Sequence, residues 1–164
     1  MKLTDLFLAE LEREAIATRR TLERVPEGRY NWKPHEKSMT LGYLAELVAR
    51  LPSWPVFIIN QDDFELMGEK LQPLRTRQEL LQALDEGVAK AREAFANTTD
   101  EHLMKHWRMS VGGKVVIDQP RHLSIRDAVF NHLAHHRGQL TVYLRLNEAP
   151  VPAIYGPSAD EASF

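Results

Sequence analysis

Apolar side chains recur at three- and four-residue steps through four separate segments of this chain, and only one short stretch reads as paired strands. Such steps stack side chains on one stripe of a helix, because a helix takes about 3.6 residues per turn. In the first segment Leu8, Leu11, Ala15, Thr18 and Leu22 form the stripe, while Glu10, Glu12, Arg13, Arg19 and Arg20 fall elsewhere on the wheel. Pro26 and Gly28 stop it, and Tyr30-Asn-Trp-Lys-Pro-His35 reads as an ordered crossover. A second helix opens at Thr40, whose hydroxyl can cap free amides, and turns Leu44, Leu47, Val48 and Leu51 inward. Pro52 and Pro55 bend or interrupt it, since each lacks an amide donor, and Val56–Ile59 continues as helix. The third helix begins at the capping box Thr76-Arg-Gln-Glu79 and carries Leu80, Leu81, Leu84, Val88, Ala91 and Phe95 on its apolar face.

Residues 107–117 change character. Gly112-Gly113 lies between β-branched runs, which predicts a hairpin. The fourth helix is expected to start at a second capping box, Ser124-Ile-Arg-Asp127, with Ile125, Val129, His132, His136, Leu140 and Tyr143 along its inward face. The tail Ala149–Pro157 is too rich in proline for helix and is expected along the surface. The predicted fold is all-α: a single domain over residues 1–164, a four-helix bundle with a long crossover and a small β-hairpin before the last helix.

Composition removes several classes of function. With 21 basic and 23 acidic side chains and a net charge of −2, the chain lacks the basic excess that nucleic-acid binding uses. No run of 18 apolar residues occurs, so no membrane span is expected. The start MKLTDLFLAELE is acidic and amphipathic, unlike a secretory signal. Zero cysteines exclude disulfides, thiolate ligands and a cysteine nucleophile, and fit a cytoplasmic location.

The candidate site is the pair His132 and His136. Four residues on a helix is slightly more than one turn, so the two rings project from one face and can share one divalent ion. Two readings stay open at this point: ligands for a metal, or neutral core histidines hydrogen-bonded to protein. A metal needs at least a third donor, for which Glu46 is the leading candidate, with Glu12 and Glu14 behind it. His135 lies about 100° off the stripe and reads as rim, and Arg137 as the partner of a carboxylate across the bundle. His102 and His106 repeat the spacing without an apolar frame, and His35 and His122 stand alone. Gly112-Gly113 is too short for a phosphate loop.

Several blocks together resemble the DinB/YfiT-like superfamily over most of the chain. They are Arg24-Val-Pro-Glu27, Pro34-His-Glu-Lys-Ser-Met39, Leu41-Gly-Tyr-Leu-Ala45 with Leu51-Pro-Ser-Trp54, and above all His132-Leu-Ala-His-His-Arg-Gly-Gln-Leu140. Tyr143-Leu-Arg-Leu146 and Pro150-Val-Pro-Ala-Ile-Tyr-Gly156 complete the likeness. The resemblance implies a four-helix bundle with nickel or zinc at three histidines, frequent dimers and, in some relatives, thiol-dependent transferase or isomerase chemistry. It does not imply DNA binding. His132 and His136 match two of the three ligands, whereas the third falls on Leu47, which cannot ligate a metal. The expected site is therefore His132, His136 and, as substitute, Glu46.

Two functions follow as expectations. One is an altered nickel or zinc site supporting thiol-conjugate transfer or metal-assisted hydrolysis on a small-molecule or thiol substrate. The other is a non-catalytic, stress-associated or ligand-binding bundle with structural histidines and no metal. In either case a homodimer is expected, with the first or third helix at the contact.

Overall fold

The first helix, α1 (Leu3–Leu22), buries the stripe Phe7, Leu11, Glu14, Thr18, Thr21 and Leu22. The preceding Lys2 offers no side-chain cap, and the free amides of Leu3 and Thr4 donate instead to the Asp100 carboxylate at 2.9 and 3.1 Å. That long-range cap holds the Asp100 carboxyl below its ordinary range, the Leu3 amide being the largest cause. Helix α2 (Leu41–Arg50) is capped by Thr40, whose hydroxyl accepts from the Tyr43 amide at 3.2 Å. Its second residue is Gly42 because Tyr30 passes so close that a Cβ there would lie 3.0 Å from the tyrosine side chain. Pro52 lies in a 3-10 turn (Leu51–Ser53) and Pro55 in the first turn of α3 (Pro55–Asn60), where a missing amide forfeits no bond. Helix α4 (Arg77–Ala96) begins at Thr76 and Glu79, whose capping box is fully formed.

The computed structural model describes residues 1–66 and 73–162. Among them α1 and α2 pack on α4, and α2 also packs on the last helix. No helix among the described residues is long and apolar enough to cross a membrane.

The chain is mainly helical but not all-α. Strand β1 (Asp63–Glu65) runs parallel to β2 (His106–Val111), which pairs antiparallel with β3 (Lys114–Pro120), giving a three-stranded sheet in the order β1-β2-β3. The hairpin appears where Gly112 and Gly113 adopt positive φ of 58° and 75°. The third strand was not expected, since three residues are too few to display a period. The short helix α5 (Asp100–Leu103), capped by Thr99, precedes β2. Arg121 secures the sheet to the helices: its buried guanidinium donates to the carbonyls of His106 at 2.6 Å and Gln61 at 3.0 Å and pairs with Asp62.

The last helical run differs most from expectation. It begins with α6 (Arg121–Ile125), so Ser124 lies inside a helix and its buried hydroxyl finds no partner among the described residues; the expected Ser124–Asp127 capping box is not used. A π turn follows at Arg126–Asn131, then α7 (His132–Leu146). In a plain α-helix, steps of four residues drift by about 40° each. Here Ile125, Val129, Leu133 and Arg137 sit at strict four-residue steps and are all buried, because the wider π turn absorbs the drift. The inward stripe of α7 is thus Leu133, Arg137, Leu140, Tyr143 and Leu144. His132 and His136, expected at its centre, are displaced to its half-buried flank.

Arg137 takes the central place instead, with 1% of its surface exposed. Its guanidinium donates to the Glu14 carboxylate at 2.6 Å, the Glu14 carbonyl at 3.1 Å and the Thr18 hydroxyl at 3.0 Å. It also donates to the Tyr155 hydroxyl, which in turn donates to Glu14 at 2.7 Å. Tyr155 comes from the tail, which two further carboxylates fasten down: Glu161 accepts from Arg20 and Arg24, and Asp160 from Arg145. Removing one member of a buried pair strands the other. Arg137→Met should therefore cost about 3–5 kcal/mol in chemical denaturation. Combined with Glu14→Gln, it should cost clearly less than the sum of the two single changes. Strict additivity would mean that the two side chains do not interact.

Candidate functional site

The π turn delivers His132 and His136 to the edge of the helix facing the end of α2 and the 3-10 turn. Their ring centroids lie 4.6 Å apart with the planes inclined at 54°. Trp54, which follows the 3-10 turn, meets His132 edge-on at 5.6 Å. His135 is exposed and stands 4.9 Å from His136, as a rim position should. Each ligand candidate has one ring nitrogen engaged. Nδ1 of His132 lies 3.3 Å from the Ala128 carbonyl, and Nδ1 of His136 lies 2.7 Å from Oε1 of Gln139. Neither Nε2 has a protein partner among the described residues.

Glu46 does not join them. Its two oxygens accept from Arg50 Nε at 2.9 Å and the Leu74 amide at 3.1 Å, which ties α2 to the segment leading into α4. Leu47 packs against the hydrophobic core. The lower-ranked carboxylates are also committed, Glu12 to Arg92 and Glu14 to Arg137. Among the described residues no group of three or more His, Asp or Glu side chains could hold a metal. The donors present therefore fit a two-imidazole site and not a three-histidine one.

The remaining histidines are occupied elsewhere. His102 donates from Nε2 to the Ile59 carbonyl at 2.8 Å, His122 from Nδ1 to the Leu103 carbonyl at 3.2 Å, and His106 faces Asp118 at 2.9 Å. His35 accepts from the Lys37 amide at 3.1 Å in the crossover. Sequence reading missed Trp54 and Gln139 as site neighbours. Gln139 was within reach of that reading, because it lies three residues beyond His136, on the same side of the helix.

Burial lowers the pKa of His132 below its ordinary 6.5, and the neighbouring His136 lowers it further, against an opposing contribution from the Ala128 carbonyl. The imidazole is thus neutral at pH 7, the form in which it can ligate. The unfolded chain takes up this proton more readily than the folded one. The corresponding stability is therefore present above pH 6.5 and is lost as pH falls toward the folded-state value. Denaturation at pH 7.5 and 5.5 should show wild type losing more stability on acidification than His132→Gln. Equal losses would contradict the shift.

The DinB family model matches residues 1–163. Two crystal structures of DinB-like proteins share the fold. One, from Bacillus cereus ATCC 10987, has a TM-score of 0.70 and 20% identity, covering 91% of this chain and 95% of that one. The other, from Bacillus subtilis, has a TM-score of 0.65 and 18% identity, covering 88% and 94%. No functionally curated protein matches. With the family model spanning nearly the whole sequence, the chain belongs to the DinB family.

Proposed function

We propose that this protein binds a divalent transition-metal ion, nickel or zinc, through His132 and His136 alone, with the other coordination positions open to solvent or a small molecule. The observation that carries this reading is the 4.6 Å approach of two imidazoles whose Nδ1 atoms are both engaged and whose Nε2 atoms are both free among the described residues. Hydrogen bonding of the outer nitrogen is the arrangement that fixes and strengthens histidine ligands. The frame is read as a four-helix bundle of α1, α2, α4 and the α6–α7 run, with a second copy of the chain as its partner through α1 or α4.

His132 and His136 hold the ion, Trp54 closes one side of His132, and the exposed His135 marks the solvent edge. A cation there supplies Lewis acidity toward a thiol or water, which makes thiol-conjugate transfer and hydrolysis the first reaction classes to assay. Two imidazoles bind more weakly than three, so the protein should exchange its metal readily.

A second reading, a non-catalytic helical protein with structural histidines, is favoured by one observation: Glu46, the carboxylate expected to complete the site, is committed to Arg50 and Leu74. Metal binding separates the two. Zinc at about a hundredfold over its Kd should stabilise the untagged protein by about 2.7 kcal/mol, seen as a concentration-dependent rise in Tm. His132→Ala and His136→Ala should each abolish the rise, and Leu47→His, which supplies a third imidazole, should enlarge it. If wild type melts at the same temperature with and without zinc or nickel, the structural reading replaces the metal one.

A further inference from the structure

We infer that Gln139 and the π turn are positioning devices: they hold both imidazoles as Nδ1–H tautomers, so that each ring leaves an unprotonated Nε2 for a cation. This rests on the reading of His132 and His136 as ligands. It assigns a role to residues outside the ligand pair.

A carbonyl oxygen only accepts, so the contact of His136 Nδ1 with Gln139 Oε1 at 2.7 Å places the proton on Nδ1. Without such a partner a neutral imidazole in water prefers its proton on Nε2, the atom a shared ion would need. Gln139 sits three residues after His136, one turn along the same side of α7, and needs no rearrangement to reach it. Its half-buried setting shields the contact from competing water.

The π turn does the same for His132 by a different route. In a regular α-helix the amide of His132 would occupy the Ala128 carbonyl, four residues back. Here that amide donates to the carbonyls of Asp127 and Val129, passing over Ala128. The carbonyl so released receives Nδ1 of the His132 ring at 3.3 Å. A local widening of the helix thus turns a backbone acceptor toward a side chain. Such π turns gather at functional sites, and here the consequence is a fixed tautomer. Two unrelated devices, one side chain and one backbone irregularity, produce the same protonation pattern in adjacent rings.

The test uses uniformly 15N-labelled, metal-free full chain at pH 8, where ordinary imidazoles are neutral. Long-range proton–nitrogen correlations read the tautomer of each ring directly. His132 and His136 should both show the Nδ1–H pattern. Gln139→Met should move His136 alone toward the Nε2–H form, and Gln139→Glu, which keeps an acceptor, should restore Nδ1–H. Zinc titration followed by tryptophan fluorescence, with Trp54→Phe identifying the Trp54 share of the signal, should show Gln139→Met binding about 10- to 100-fold more weakly, with Gln139→Glu close to wild type. A wild-type His136 protonated on Nε2, or a tautomer unchanged in Gln139→Met, overturns the inference. The Nδ1–H pattern without zinc uptake sinks the cation reading and leaves the tautomer control standing. Zinc uptake by Nε2–H rings does the reverse.

Discussion

A guanidinium removed from water must find its counter-charge and its acceptors inside the protein, and the rotation of α7 follows from how Arg137 meets that requirement. Its partners come from two places far apart in sequence: Glu14 and Thr18 on α1, and Tyr155 on the tail. Turning the helix by one residue would expose the guanidinium and bury a histidine against α1, leaving Glu14 with its charge unanswered. Burying an ion pair is rarely the most stabilising use of a core position, but it is demanding about geometry. Here it fixes the face that α7 shows to α1, and thereby the face that carries His132 and His136.

The π turn reconciles that rotation with the rest of the helical run. Ile125 and Val129 must be buried at the start, and Arg137 and Leu140 further on. An unbroken α-helix would spread the four over about 120° of its surface. Widening the helix at Arg126–Asn131 satisfies both ends and moves the histidines from the stripe to its flank. On the flank burial lowers the pKa of His132 and keeps its ring neutral, while the ring stays only half-buried. A ring sealed in the core could bind nothing from solvent.

Much of the helical frame was legible because its signals are local. The Thr40 cap, the Thr76–Glu79 box and the glycine pair of the hairpin depend on neighbours a few residues away, and each does what the sequence predicts. The pairing of Arg137 with a carboxylate across the helices was expected too, although the wheel placed Arg137 beside the inward stripe and not on it. The start of the last helix was misread because Ser124 and Asp127 have the spacing of a capping box but lie within a helix already begun at Arg121. The inward face was misread because a wheel drawn at 3.6 residues per turn has no place for a π turn. Strand β1 stayed hidden because its pairing with β2 is long-range and parallel. Glu46 was the natural substitute ligand by type and position, and no feature of the sequence announces that Arg50 and the Leu74 amide claim it.

That claim on Glu46 bears on how the site could work. Its carboxylate anchors α2 to the approach of α4, with its side chain only 15% exposed. Swinging it toward the histidines would release Arg50 and leave the Leu74 amide without its acceptor, at a cost of about 1–3 kcal/mol for each buried group left unpaired. A carboxylate committed in this way leaves the metal site proposed at His132 and His136 with two protein donors. An ion held by two neutral imidazoles keeps its full positive charge and several exchangeable positions. It is therefore more acidic toward an arriving thiol or water than one neutralised by a carboxylate, and more easily lost. On the proposed reading, the same hydrogen bonds that secure α2 would make the site weak in retention and strong in polarising what reaches it.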